Sequence, residues 1–138
     1  MARERTVYIV GHNMPGYLPD SDNYIVGTKR AAIAASWAEA KQARDSCIDG
    51  AADPEHVDVH LTGRQGDYWL SGEDCTDEHY WVNPAAAERA YIASAEGDWA
   101  SGERCACCER KIGGPHMTDT EPCWYVSLAE AYVCDDCL

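Results

Sequence analysis

The chain has 138 residues and a formal net charge of −13. This length suits one compact domain, or a domain of about a hundred residues with a small appendage. The charge is concentrated in residues 45–80, which carry ten acidic side chains and one base, Arg64. Such a surface repels phosphate backbones, so direct nucleic-acid binding is disfavoured. The acidity suits a basic partner protein, or it serves only to keep the chain in solution.

The sequence carries no signal for membrane insertion or secretion. No apolar run approaches the roughly twenty residues of a membrane-spanning helix. The apolar run VYIVG (7–11) is shorter than the core of a secretory signal peptide. We therefore expect a cytoplasmic protein without membrane contact. In that compartment thiols stay reduced, and clustered cysteines bind metal more often than they form disulfides.

A strand and an ordered loop are predicted at the start of the chain. The β-branched and aromatic residues of 6–11 predict the strand. Two prolines, a glycine and several Asp and Asn residues predict the loop over 12–24. This loop is either a rigid connection or a recognition surface. The side chains that would form this surface are Tyr17, Asp20, Asp22 and Tyr24.

A helix is predicted next, from about Lys29 to Cys47. Thr28 is its expected N-cap. Apolar residues at helical spacing predict one buried face. That face contains Ile33, Trp37, Ala40 and Cys47.

A hairpin and a second helix follow in the prediction. Alternating apolar and polar residues predict a half-buried strand over 56–61, and the turn TGRQG leads to a second strand over 67–71. After an acidic loop, Asn83 as N-cap and Pro84 at the first helical position predict a helix over 84–96. The order β-α-β-β-α predicts an α+β fold: a small, mostly antiparallel sheet with two helices, followed by a C-terminal zinc ribbon.

The C-terminal part is predicted as a metal-binding module over 103–138, after an acidic α+β domain over 1–98. Cys105 and Cys108 form one C-x-x-C pair, and Cys134 and Cys137 form another. Each such turn presents two thiolates on one side, and two turns close a tetrahedron around a structural Zn²⁺ ion. Ile112 and the glycines after it predict a strand and a reversal of the chain between the pairs, so the module resembles a zinc ribbon.

Other residues are alternatives at this site. Cys107, Cys123 or His116 could replace one of the four ligands. An iron–sulfur cluster on the same four thiolates is a further alternative. Cys47 and Cys75 are interpreted as a buried core thiol and a loop thiol, because free cysteine packs like a small apolar residue.

Common catalytic motifs are absent from the sequence, which has no H-E-x-x-H, G-x-S-x-G, P-loop or G-x-G-x-x-G pattern. His60 and His79 with an acid could bind a catalytic metal, and Cys75 could act as a nucleophile beside a histidine. Polar side chains on the solvent face of a half-buried sheet explain these histidines more simply. We therefore interpret the chain as a non-enzyme.

The stretch NMPGYLPDSDNY, followed by a helix containing SWAEAKQA, resembles the N-terminal part of small accessory proteins of actinobacteriophages, of the mycobacteriophage type. The resemblance covers residues 7–44, and a composition rich in alanine, aspartate and tryptophan but poor in lysine agrees with it. It implies a phage gene product of unassigned activity in the cytoplasm of a bacterial host. It implies no catalytic residue.

Three functions are consistent with these patterns. The first is a zinc-stabilised accessory protein that binds or modulates a host protein without catalysis. The second is a DNA mimic, whose carboxylates in 45–80 imitate phosphates and inhibit a DNA-binding protein. The third is a zinc- or thiol-dependent enzyme that uses His60, His79 or Cys75.

Overall fold

The computed structural model describes residues 4–18, 23–93, 104–110, 112 and 120–138. These residues form one α-helix, α1 (Lys29–Asp49), and strands β1 (Glu4–Asn13), β2 (Tyr24–Val26), β3 (His60–Arg64), β4 (Asp67–Ser71), β5 (Glu78–Ala93), β6 (Thr120–Val126) and β7 (Ala131–Cys134). The predicted α+β class with an antiparallel sheet is confirmed. The predicted number of two helices is wrong, since the described ranges contain α1 alone. No helix in these ranges combines the length and apolar character needed to cross a membrane.

The chain divides into two compact units. Residues 8–83 form the helix unit, and residues 1–7 with 84–138 form the cysteine unit. The division falls within β1 and within β5. The boundary expected from the sequence, between 98 and 103, lies outside the described residues, so the domains 1–98 and 103–138 stay a prediction.

In the helix unit the strands lie in the order β2-β1-β5-β4-β3. β1 contains the predicted strand 6–11 and continues to Asn13. A side chain at Gly11 would collide with β5, because a Cβ atom there would lie 2.5 Å from Cη2 of Trp81. The indole N–H of Trp81 donates to Oδ1 of Asn13 at 2.8 Å. Gly11 and Asn13 therefore make room for this large ring and hold it in place.

The predicted helix is confirmed as α1. Thr28 is its N-cap, and Oγ1 of Thr28 accepts a hydrogen bond from the backbone N–H of Ala31 at 3.3 Å. A second hydrogen bond, from the N–H of Ala32 to the carbonyl of Thr28 at 3.0 Å, closes the first turn. The start of the helix is thus determined by a local signal that the sequence shows.

The buried face of α1 agrees with the prediction at Ala40 but not at Trp37. Ala32, Ser36 and Ala40 are fully buried, whereas Trp37, expected inside, is 39% exposed. Small side chains face the sheet here, because rings from the strands fill the space. The buried cluster around Ala40 contains Tyr68, Leu70 and Tyr80.

The hairpin of β3 and β4 is confirmed, but its first strand begins later than predicted. β3 starts at His60, and residues 54–56 form a single 3-10 turn in place of the expected strand start. Asp53 caps this turn by accepting a hydrogen bond from the N–H of Glu55 at 3.2 Å. Pro54 favours a turn at this point because its ring fixes φ and it has no N–H to donate.

The prediction of a second helix is wrong, because residues 84–93 belong to β5. Ala85 and Ala87 are buried, whereas Ala86 and Glu88 are exposed, which is the period-two alternation of a strand. Residues 87–93 pair with β6. Alanine favours helices, but this weak preference is overridden by pairing with neighbouring strands. The remainder of the predicted helix, 94–96, lies outside the described residues.

In the cysteine unit β6 lies between β5 and β7. The β6–β7 hairpin turns through residues 127–130, where Glu130 adopts a positive φ of 49°. Ile112 is 1% exposed, but it lies outside any strand, contrary to the prediction. Among the residues of this unit that the structure describes, the other buried ones are Val7, Ala85, Ala87, Cys105, Cys123, Trp124, Val126, Val133 and Cys134. Two of the predicted metal ligands, Cys105 and Cys134, are therefore part of this small core.

Candidate metal centre

Four cysteines of the cysteine unit lie within reach of one metal ion, with their Sγ atoms all within 4.8 Å of one another. The Sγ atom of Cys137 is 3.4 Å from that of Cys134 and 3.7 Å from that of Cys105. The Sγ atoms of Cys108 and Cys134 are 3.7 Å apart. Thiolates at about 2.3 Å from a tetrahedral ion are separated by about 3.8 Å. The four cysteines predicted from the two C-x-x-C pairs are thus brought together at a spacing that can hold a metal ion.

The first pair lies on a tight turn after Arg104. The backbone N–H of Glu109 donates to the carbonyl of Cys105 at 2.9 Å, and the N–H of Cys105 donates to the carbonyl of Arg110 at 2.8 Å. Glu109 has a φ of 64°, a left-handed conformation that reverses the chain after Cys108. Both sulfurs of the pair can therefore face the same point.

The second pair is delivered by β7, which ends at Cys134, and by the 3-10 turn Asp135–Cys137 that follows. The two turns are also joined to each other. The N–H of Ala106 donates to the carbonyl of Tyr132 in β7 at 2.8 Å. The cluster thus depends on contacts between segments that are far apart in the sequence.

Three side chains support the second turn. The carboxylate of Asp135 accepts hydrogen bonds from Nη1 of Arg89 at 2.6 Å and from Nε1 of Trp124 at 3.1 Å. Arg89 and Trp124 are partners across the β5–β6 ladder, and the guanidinium carbon of Arg89 lies 4.8 Å from the Trp124 ring centroid. The hydrogen bonds from Arg89, then from Trp124, hold the pKa of Asp135 below its ordinary value. Sequence reasoning missed Arg89 because it assigned this residue to a helix.

Backbone amides stabilise negative charge on Cys105. Its Sγ atom accepts hydrogen bonds from the N–H of Cys134 at 3.3 Å and from the N–H of Cys107 at 3.4 Å. Burial raises the pKa of the Cys105 thiol, but the amides of Cys134, Cys108 and Cys107 outweigh this effect and lower the pKa to about 6. By contrast, burial and the neighbouring thiols raise the pKa of Cys137. The amides around Cys105 thus favour its thiolate, which is the form that binds a metal ion.

Two of the alternative ligands named from the sequence, Cys107 and Cys123, are not members of the four-cysteine group. Cys107 is exposed, and Cys123 is buried in β6 with its Sγ 3.7 Å from the carbonyl of Ala90. The group of potential ligands found among the described residues contains neither of them. His116 lies outside the described residues.

The candidate enzymatic residues of the helix unit are not brought together as one ligand group in the described ranges. Nε2 of His60 lies 2.6 Å from Oδ1 of Asp58, and Nε2 of His79 lies 2.6 Å from Oδ1 of Asp67. Each histidine thus has its own carboxylate partner. Burial, followed by the neighbouring Cys47 and Asp77, raises the pKa of Cys75, which lowers its thiolate fraction.

Cys47 and Cys75, interpreted from the sequence as a core thiol and a loop thiol, are both partly buried. Both pack against the core of the helix unit. Of the predicted recognition surface, Tyr17 is 69% exposed and Tyr24 is partly buried in β2. Asp20 and Asp22 lie outside the described residues.

Comparison with protein-family models, with curated proteins and with solved structures gave no match for this chain. The candidate site therefore has to be interpreted from its own chemistry. Four thiolates around one ion fill a tetrahedral coordination sphere, so such a site has no position for a substrate or a reactive water. The arrangement is suited to holding the chain together and unsuited to catalysis at the metal.

Proposed function

We propose that the chain binds one zinc ion through Cys105, Cys108, Cys134 and Cys137, and that this ion stabilises the fold of the cysteine unit. The observation that carries the proposal is the separation of 3.7 Å between Sγ atoms from different turns, which holds for Cys105 and Cys137 and for Cys108 and Cys134. Tetrahedral coordination by four sulfurs is typical of structural zinc. A unit with a small core gains much of its stability from such an ion.

The spacing favours a single ion over an iron–sulfur cluster. In a cluster the cysteine thiolates bind different iron atoms, so their sulfurs stand further apart than the ligands of one ion. The four Sγ atoms lie within 4.8 Å of one another, which is the space of one ion. Zn²⁺ is also the common metal of tetrahedral thiolate sites that perform no redox chemistry.

At the level of the whole chain, the proposed function is non-catalytic binding or modulation of another protein. The closed metal site supports this, and so do the acidic side chains of residues 45–80, most of which are exposed and suit a basic partner. The resemblance of residues 7–44 supports a phage accessory protein that acts in the cytoplasm of the host. The DNA-mimic alternative uses the same acidic side chains, and it predicts that DNA competes with the chain for its partner.

Metal stoichiometry tests the zinc site directly. The full chain, purified without a metal-affinity step, is expected to contain one zinc ion per molecule when measured by inductively coupled plasma mass spectrometry. Replacement by Co²⁺ is expected to give the absorption bands of tetrahedral thiolate coordination. Cys134→Ser should lose the ion, while Cys107→Ser and Cys123→Ser should keep it. Inorganic sulfide with several iron atoms per chain, or full zinc retention by Cys134→Ser, would contradict the proposal.

A further inference from the structure

The face of the β3–β4–β5 sheet opposite α1 carries an exposed tryptophan. The helix packs against Tyr68, Leu70 and Tyr80, so the alternating residues of β4 and β5 point to the other side. Trp69 lies on that side and is 42% exposed. Its cross-strand neighbours are Thr62 in β3 and His79 in β5.

The ring of Trp69 is held in a fixed orientation. It stacks on the His79 imidazole with 3.8 Å between ring centroids and 12° between planes. Nε2 of His79 in turn lies 2.6 Å from Oδ1 of Asp67, whose side chain is 67% exposed. A ring that is already ordered loses little entropy when a ligand binds, and tryptophan is the residue most enriched in binding hot spots.

Acidic groups lie at both ends of the surface formed by Trp69 and His79. Asp67 lies at one end, and at the other His60 pairs with Ser71, beside the loops that carry Asp58 and Asp74. These loops are joined, since the N–H of Asp58 donates to Oδ2 of Asp74 at 2.6 Å. Arg64 is the one base in residues 45–80. The charge therefore selects a cationic ligand and repels nucleic acid.

We propose that Trp69, His79 and Asp67 form a docking surface for a basic, extended segment of a partner protein, with one arginine or lysine of that segment stacked on Trp69. A guanidinium on an indole face gains a cation–π interaction, and Asp67 lies in position to accept its hydrogen bonds. The neighbouring cations of the segment face Asp58 and Asp74. This inference rests on the proposed protein-binding function and names its surface, which lies in the helix unit and contains no residue of the metal cluster.

Fluorescence anisotropy tests this surface in the full, zinc-loaded chain. The probe is a fluorescein-labelled octapeptide of alternating arginine and glycine. A control peptide carries neutral citrulline in place of each arginine. Trp69→Ala should weaken binding of the arginine peptide by about ten-fold or more. The matched control is Trp37→Ala, since Trp37 is 39% exposed on α1 and should change the affinity by less than about two-fold. Arg64→Gln should tighten binding, because it removes the base that repels the peptide.

The outcomes separate this inference from its alternatives. Three results would each overturn it. The first is an equal loss of affinity for the arginine peptide in Trp69→Ala and Trp37→Ala. The second is binding of the citrulline peptide as tight as that of the arginine peptide, and the third is no gain in affinity for Arg64→Gln. Quenching of Trp69 by neutral oligosaccharides without any response to the arginine peptide would assign the surface to carbohydrate instead. The zinc content is measured on the same samples. If the unmodified chain contains one zinc ion but does not bind the arginine peptide, only the docking surface is contradicted. If it binds the peptide but contains no zinc, only the metal site is contradicted.

Discussion

Arg89 and Asp135, which lie 46 positions apart in the sequence, are joined by two hydrogen bonds of 2.6 and 3.4 Å. Asp135 directly follows the metal-ligand candidate Cys134, and Trp124 donates to the same carboxylate. The side chain of Arg89 thus links β5 to the turn that carries two of the four thiolates. Groups that orient metal ligands in this way commonly affect affinity without touching the ion.

Removal of the Arg89 guanidinium should therefore weaken the metal site. We expect Arg89→Met to lower the zinc affinity by about ten-fold, within the range known for residues that support metal ligands. The reason is that the turn 134–137 loses its anchor while all four thiols remain. Competition with a chromophoric chelator measures the change.

The matched controls are two substitutions in the same turn. Asp135→Asn should reproduce part of the Arg89→Met effect, because it removes the charged acceptor. Asp136→Asn changes the same charge at an exposed neighbour for which the described structure shows no hydrogen bond, and it should leave the affinity unchanged. Equal effects of Asp135→Asn and Asp136→Asn would show that net charge, and not the Arg89 contact, matters.

The parts of the fold that were predicted correctly have signals within a few residues. Thr28 marks the start of α1, and the two C-x-x-C pairs identify the cluster, because each signal is a local property of the chain. The strand character of residues 84–93 is different, since it depends on pairing with partners elsewhere in the sequence. The run PAAAERA has a good helix N-terminus and helix-favouring residues, and no local feature reveals its strand partners.

The buried face of α1 was predicted only in part. Apolar periodicity predicts a buried face of Ile33, Trp37, Ala40 and Cys47, and Ile33 and Trp37 are the bulkiest of these. Ala40 is buried as predicted, but Ala32 and Ser36 are buried in place of the two large residues. Tyr68 and Tyr80 supply the bulk from the sheet. Which side of an interface carries the large side chains is a property of the pair of surfaces, and one helix alone does not determine it.

The Asp58 carboxylate should make the helix unit sensitive to acid. The hydrogen bond from the N–H of Glu73, at 2.9 Å, and then His60 hold the pKa of Asp58 below its ordinary value of 3.8. The pKa of Asp58 is lower in the folded than in the unfolded chain. The ionised carboxylate therefore stabilises the fold at pH values above the ordinary pKa of 3.8. This stabilisation is lost as the pH falls through the folded pKa.

Urea unfolding, followed by the circular dichroism of α1, measures this effect. Between about pH 5 and pH 3 the unfolding midpoint of the unmodified chain should fall more steeply than that of Asp58→Asn. Asp77→Asn removes the same charge from an exposed position between β4 and β5, and it should retain the steep dependence. Parallel curves for Asp58→Asn and the unmodified chain would contradict this account of the loop.

Gly11→Ala should destabilise the helix unit. The added Cβ would lie 2.5 and 2.6 Å from two atoms of the Trp81 ring, and that ring is held by its hydrogen bond to Asn13. Overpacking of this kind costs about 1–3 kcal/mol of unfolding free energy. Gly50→Ala is the control, because its Cβ would lie at an ordinary 3.4 Å from the carbonyl of Ser46. Chemical denaturation should show a loss for Gly11→Ala well above that for Gly50→Ala.

Gln65→Asn should stabilise the β3–β4 hairpin. The two turn residues, Gln65 and Gly66, have φ values of 58° and 83° between the paired residues Arg64 and Asp67. Two successive positive φ angles define the turn in which Asn-Gly is strongly preferred, whereas glutamine has no such preference. We expect a gain of about 0.5 kcal/mol in unfolding free energy, measured by chemical denaturation. Gln65→Val should show the opposite sign, because a β-branched side chain is strained at positive φ. A gain for both variants, or for neither, would show that backbone conformation at residue 65 does not limit the stability of the hairpin.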